Sequence, residues 1–162
     1  MSSGLPRRTG RVLGLVAATL MVATAPAAAG GVRGTSGNDH LDGKDSSDVL
    51  RGKAGADLLH GMPGHDRLYG GSGRDALYGG PGNDVLRGGA GRDHLSANEG
   101  SDVIHAGGND FIDAGRNRDH VIVRRAKRGM EIHCAEGRDR LTFHGSHRGV
   151  KVIGCEKVVT RR

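Results

Sequence analysis

A single aliphatic residue returns every ninth position through the middle of the chain: Leu41, Leu50, Leu59, Leu68, Leu77, Leu86, Leu95 and Ile104. Only this position is always aliphatic, so the apolar pattern is one residue wide. An amphipathic helix needs apolar positions three and four apart, which this spacing does not supply. The pattern predicts three-residue strands, x-U-x, whose central side chain faces a core while its neighbours face outward. The six residues between strands are rich in Gly, Asn and Asp and predict tight turns, because glycine accepts positive φ at little cost. One unit buries too little apolar surface to stand alone, so several must stack. Two units complete one coil, which places like positions in successive coils about 4.8 Å apart.

The polar positions keep the same period. Aspartates stand two residues before each aliphatic position, at Asp39, Asp48, Asp57, Asp66, Asp75, Asp84, Asp93 and Asp102. Two further units follow with one residue lost, carrying Asp110 with Ile112 and Asp119 with Val121. Stacking by coils sets Asp39, Asp57, Asp75 and Asp93 in one ladder and Asp48, Asp66, Asp84 and Asp102 in another. Carboxylates that close repel by roughly 1 kcal/mol or more per pair even in water. A hard dication taking oxygen ligands removes the repulsion. Calcium suits irregular oxygen cages best, and magnesium, which wants a strict octahedron, should compete poorly. A metal-free solenoid with Asp merely favouring turns is a poorer match, since turn chemistry alone would tolerate Asn or Ser at some of these positions.

The clearest units are GGSGRDALY (70–78), GGPGNDVLR (79–87) and GGAGRDHLS (88–96). With these the chain resembles the repeats-in-toxin (RTX) family of hemolysin-type calcium-binding nonapeptides, G-G-x-G-x-D-x-U-x, over residues 34–121. The resemblance implies an all-β fold, a right-handed parallel β-roll of two sheets with calcium between successive turns. Each ion would be held by Asp carboxylates and turn carbonyls of adjacent coils. In the clearest units those carbonyls belong to Gly70, Gly71, Gly73, Gly79, Gly80, Gly82, Gly88, Gly89 and Gly91. The in-phase pairs 39–57, 48–66, 57–75, 66–84, 75–93 and 84–102 imply about six sites. Pairs 93–110 and 102–119 are one residue short, so binding at Asp110 and Asp119 is left open.

Composition agrees with a thin core. Of 162 residues 30 are Gly, none is Trp, and Phe and Tyr number two each. A core of aromatics and long helices is unexpected, and four Pro without a glycine every third residue exclude collagen. The N-terminus reads as an export signal: Arg7, Arg8 and Arg11, then the apolar run 12–24, then Ala27 and Ala29 in an A-x-A pattern. Cleavage after Ala29 and an extracellular location are expected. The organisation is then 1–29 signal peptide, 30–121 calcium-binding repeats and 122–162 a C-terminal β cap. Cys134 and Cys155, an even count in an exported chain, predict one disulfide. It would contribute on the order of 3 kcal/mol by loop entropy. A cap is needed because an open roll end bares strand edges and core leucines.

Charge is divided between these parts. Residues 34–121 hold 14 acids and 9 bases, whereas 122–162 hold 11 bases and 4 acids. The basic end could meet an anionic surface polymer, but without interleaved aromatics or a nucleic-acid motif a solvated cap is favoured and no nucleic-acid partner is expected. Arg51, Tyr69 and Arg87 should form an outward ladder held by cation–π contacts. His40, His94 and His120 directly follow an Asp on the outer face. Solvent-facing histidines are expected there rather than a zinc site, for want of a close pair with a thiolate partner. No HExxH, GxSxG or carboxylate pair outside the ladders is present, so no catalysis is expected. The sequence therefore predicts a secreted, monomeric calcium-binding protein whose repeats fold as they bind Ca2+. The alternative is a calcium-stabilised adhesion or cell-wall/glycan-binding module using the outer sheet faces or the basic cap.

Overall fold

The computed structural model describes residues 31–161. The expected signal peptide lies outside the described residues. Every regular element described is a β-strand, and every strand pairing is parallel. The chain alternates between two sheets, so odd and even repeat units lie on opposite sides. The first sheet stacks Val32–Arg33, Val49–Ala54, Arg67–Gly73, Val85–Gly91, Val103–Gly108, His120–Ala126, Arg140–His144 and Lys157–Arg161 in chain order. The second stacks His40–Asp42, Leu58–His60, Ala76–Pro81, His94–Glu99, Phe111–Asp113, Glu131–His133 and Lys151–Ile153. Two short strands, Arg116–Asn117 and Glu136–Gly137, pair beside the second sheet. This is the expected parallel two-sheet solenoid. No helix of the described residues is long and apolar enough to cross a membrane.

The nine-residue period sets the register. Leu50 lies beside Leu68 and Leu68 beside Leu86 on the first sheet, while Leu41, Leu59, Leu77 and Leu95 run along the second. These leucines are all buried. Each contributes about 1.5–3 kcal/mol of burial free energy, and they meet between the two sheets. The side chains beside them face outward, as alternation requires. There Arg51 and Arg87 flank the Tyr69 ring at 5.1 and 5.8 Å, the ladder the spacing predicts.

Past Asp102 the coils change length without leaving the stack. His94 pairs with Phe111, 17 residues on, and Phe111 with Glu131, 20 residues on. The C-terminal residues continue both sheets, ending at Lys151–Ile153 and Lys157–Arg161. Cys134 and Cys155 form the expected disulfide, with Cα atoms 5.0 Å apart. It ties the residue after Glu131–His133 to the turn after Lys151–Ile153, joining the last two rungs of the second sheet. Val152, Ile153 and Val158 remain exposed beyond it, at the end of the stack.

Candidate metal centre

Each turn delivers its Asp to the same place. The Oδ1 atom of one Asp accepts the backbone N–H of the Asp one coil earlier. This holds for Asp57 from Asp39, Asp66 from Asp48, Asp75 from Asp57, Asp84 from Asp66, Asp93 from Asp75 and Asp102 from Asp84, at 2.7–3.0 Å. The out-of-phase units keep the bond: Asp110 accepts from Asp93 at 3.0 Å and Asp119 from Asp102 at 2.9 Å. Loss of a residue between Asp93 and Asp110 is absorbed in the turn ahead of Asp110, so both ladders stay in line.

The ladders run further than the sequence suggested on one side and stop on the other. Asp139 accepts the Asp119 N–H at 2.9 Å, and Glu156 accepts the Asp139 N–H at 2.6 Å. Asp139 stands in a visible G-x-D-x-U echo at 137–141, but the 20-residue coil hid its place in the ladder. Glu156 stands in the same echo, Gly154-Cys155-Glu156-Lys157-Val158, but Glu in place of Asp hides the resemblance. On the other side Phe111 pairs with Glu131, so Met130 occupies the column of Asp110. Met130 is buried in the core.

The second oxygen distinguishes the turns. The Oδ2 atoms of Asp57, Asp66, Asp75, Asp84, Asp93, Asp102, Asp119 and Asp139 are buried without a hydrogen-bond partner. In each of these turns the residue four before the Asp is left-handed. Those residues are Lys53 (φ 87°), Met62 (72°), Gly71, Gly80, Gly89, Asn98 (74°), Gly115 and Ala135 (54°). Lys, Met and Ala rarely adopt that conformation, and Asn does so more readily, so at Lys53, Met62 and Ala135 it is held by the surrounding stack. In the other three turns an amide closes on the oxygen. Thr35 N–H donates to Asp39 Oδ2 at 2.6 Å, Lys44 N–H to Asp48 Oδ2 at 2.8 Å and Gly107 N–H to Asp110 Oδ2 at 2.8 Å. For Asp110 the shortened turn brings that amide into reach.

In the turns of Asp57, Asp66, Asp75, Asp84 and Asp93 the opening glycine (Gly52, Gly61, Gly70, Gly79 and Gly88) forms a cradle around the free oxygen, whereas Ala97, Ala114 and Cys134 open the turns of Asp102, Asp119 and Asp139. A Cβ on Gly79 would lie 2.5 Å from Asp84 Oδ2 and 2.7 Å from the Ala97 carbonyl oxygen. Carbonyls of Gly70, Gly79 and Gly88 face the equivalent space of the coil before, while those of Gly71, Gly73, Gly82 and Gly91 face glycines of the coil after. Gly80 and Gly89 hold the left-handed position of their turns. At Gly52, Gly61, Gly70 and Gly79 an unpartnered carboxylate oxygen and a backbone carbonyl of the next coil both crowd the place a side chain would take, so only a bare backbone fits between them. Burial raises the carboxyl pKa to about 6 for Asp66 and Asp93 and about 7 for Asp102 and Asp119. The N–H received from the previous coil opposes that rise, and neighbouring Asp charges add to it.

Buried carboxylate oxygens and turn carbonyls repeated between coils are an oxygen donor set that suits a hard cation, and calcium fits it. The match to known families agrees. Segments 33–68, 42–77, 51–86, 60–95, 78–110 and 87–121 match the RTX calcium-binding nonapeptide repeat. The chain belongs to that family, and calcium is the ion the membership implies. No curated protein sequence matches the chain.

The outer-face histidines include a close pair without a thiolate: the ring centroids of His40 and His60 are 5.4 Å apart, and both reach Asp42. They begin a file of rings along the outside of the second sheet that continues through Tyr78, His94, Phe111 and His133 at 5.0–5.7 Å. The sequence reading missed this file because His40 precedes its inward leucine whereas His60 follows its own. Strand register makes the two diagonal neighbours, since Asp42 pairs with His60 and His40 with Leu58.

Proposed function

We propose that this chain is a secreted, non-catalytic calcium-binding protein whose coils stack as they take up Ca2+ between successive turns. The observation that carries the reading is the set of eight buried Oδ2 atoms without a partner. A buried carboxylate left unpaired costs several kcal/mol, and eight in one small solenoid would oppose folding unless cations or protons neutralise them. Calcium, when bound, supplies the missing charge and the missing oxygen ligation. The Asp carboxylates would hold it, with the turn carbonyls opposite. In low calcium the ladders repel and the chain stays extended and export-competent. Outside the cell, at an affinity on the order of 10⁻⁴–10⁻³ M, the stack sets. The leader-like residues 1–29 and the disulfide support export. The buried carboxylates among the described residues all belong to the ladders, which favours a structural role for them over catalysis. Circular dichroism of the chain lacking residues 1–29, titrated with calcium, tests the reading. A cooperative gain of β-structure is expected, and a spectrum unchanged to millimolar calcium would overturn it.

One observation favours a second reading, in which calcium sets a scaffold and the first sheet binds an anionic polymer. The eight strands of that sheet carry ten Lys and Arg and no Asp or Glu. Unneutralised cations at rung spacing suit a polyanion such as a phosphate-bearing wall polymer. Calcium-dependent, salt-sensitive pull-down on anionic wall material supports this reading, and retention that is equal in chelator refutes it.

A further inference from the structure

We propose that His40, Asp42 and His60 form a second kind of metal site, for a borderline divalent ion such as Zn2+, on the outer face of the second sheet. His40 and Asp42 are two residues apart on one strand and so share its outer face. His60 lies beside Asp42 in register on the neighbouring strand. His60 Nδ1 is 2.9 Å and His40 Nε2 is 3.2 Å from Asp42 Oδ1. All three donor atoms fall within 4.8 Å of one another. The two rings meet edge to face at 83°, and a nitrogen of each approaches the same Asp42 oxygen. His40 Nε2 is shielded from solvent and, despite its nearness to Asp42, has no aligned hydrogen-bond partner. The Tyr78 ring, 5.2 Å from that of His60, braces it from the far side.

Two imidazoles and a carboxylate are the donor set of zinc, cobalt or nickel, and a poor one for calcium, which prefers oxygen alone. The fourth position of a tetrahedral ion would be open to solvent. The site's place in the fold gives it a purpose. His40–Asp42 is the edge strand of the second sheet, with Leu58–His60 as its partner, and edge strands fray. A metal there joins the first two rungs of this sheet, as the Cys134–Cys155 disulfide joins its last two. The two ends of one sheet would each carry a cross-link of different chemistry.

The test is zinc calorimetry on the full chain held in saturating calcium. One equivalent of Zn2+ should bind, and His60→Ala and Asp42→Asn should each weaken it at least about tenfold, the scale of losing a ligand or its support. His94→Ala, outside the cluster, should leave it unchanged. Imidazole ¹⁵N resonances of the unsubstituted protein give an independent reading: those of His40 and His60 should shift with zinc while the others hold. Zinc uptake that survives a His40→Ala/His60→Ala double substitution would place the ion elsewhere on the chain and overturn the proposal. Absence of uptake by the unsubstituted chain, or ¹⁵N shifts spread over all histidines, would overturn it as well.

Discussion

The coils up to Asp102 and the last two coils share a backbone and differ in what fills the turn. In the early coils a glycine opens each turn through that of Asp93, Ala97 opens the turn of Asp102, and an Asp closes each, leaving a polar cradle between them. Along one flank of the late coils that cradle is gone. The turn-opening column, glycine at Gly34, Gly52, Gly70 and Gly88, holds Ala106, then Val123, then Phe143, paired rung by rung. In the same coils Met130 replaces the Asp, and all four side chains are buried. The other flank keeps its acids through Asp119 and Asp139 to Glu156. The same space between coils can thus be closed by a carboxylate with a cation or by apolar packing. On the reading proposed above the first solution would respond to calcium and the second would not, because Val123, Phe143 and Met130 offer no carboxylate.

The sharpest way to break this comparison is to change a glycine in an early coil. Gly82 has φ 144°, and a Cβ there would collide with the Gly64 carbonyl of the coil before. Gly37 holds the same place in the first described unit, where a Cβ would meet only Thr35 Oγ1 at 3.7 Å. Gly82→Ala should cost about 3 kcal/mol or more, through backbone strain and overpacking together, and Gly37→Ala less than about 0.5 kcal/mol. Thermal melts in saturating calcium measure both. Next in size, Met130→Asp returns an acid to a column whose cradle Val123 has filled. It should cost about 3 kcal/mol as an uncompensated buried charge, and added calcium should not restore the loss. Restoration by calcium would show that the glycine cradle is dispensable.

A smaller effect separates open turns from closed ones. Asp84→Asn keeps an acceptor for the Asp66 N–H but removes charge beside an open cradle. It should raise the calcium midpoint about tenfold, since ligand charge tunes such affinities. Asp39→Asn, where Thr35 already occupies Oδ2, should raise it by less than about twofold, a difference too small to register as a lost ligand. Calcium titrations followed by circular dichroism distinguish the two.

The mildest test is pH. In the calcium-free chain burial raises the carboxyl pKa of Asp66 and Asp93 to about 6 and of Asp102 and Asp119 to about 7. The folded state then holds more protons than the unfolded one between about pH 4 and 7, so stability falls as pH rises through that window. His105 and His120, whose pKa values burial lowers, act in the opposite sense but are only two against nine raised aspartates. Acidifying the chain in chelator from pH 8 to 5 should therefore increase β-structure. In calcium the same change should weaken ion uptake, because protons compete for the same oxygens. Loss of structure on acidification in chelator would contradict the burial of the ladders.

Much of this was legible before any coordinates. Nine-residue spacing assigned the inward leucines, the two sheets and the aspartate ladders, because like positions must stack when every unit has one length. It faltered where length changed. Asp110 remained in line although its coil is short, but the same shortening brought Gly107 N–H onto its Oδ2. Asp139, Met130 and Glu156 could not be placed by counting across coils of 17 and 20 residues, because only strand pairing restores the register there.

By itself the sequence determined the repeat, the fold class and the acids that line its turns, since a fixed period allows one in-register stack. The tertiary structure alone decided which of those acids keeps a free oxygen. That depends on whether a turn residue is held left-handed by the coil beside it. It also decided where ladder gives way to apolar core, and that His40 and His60 converge on Asp42. These are relations between neighbouring coils, set by contact across the rungs and not by distance along the chain.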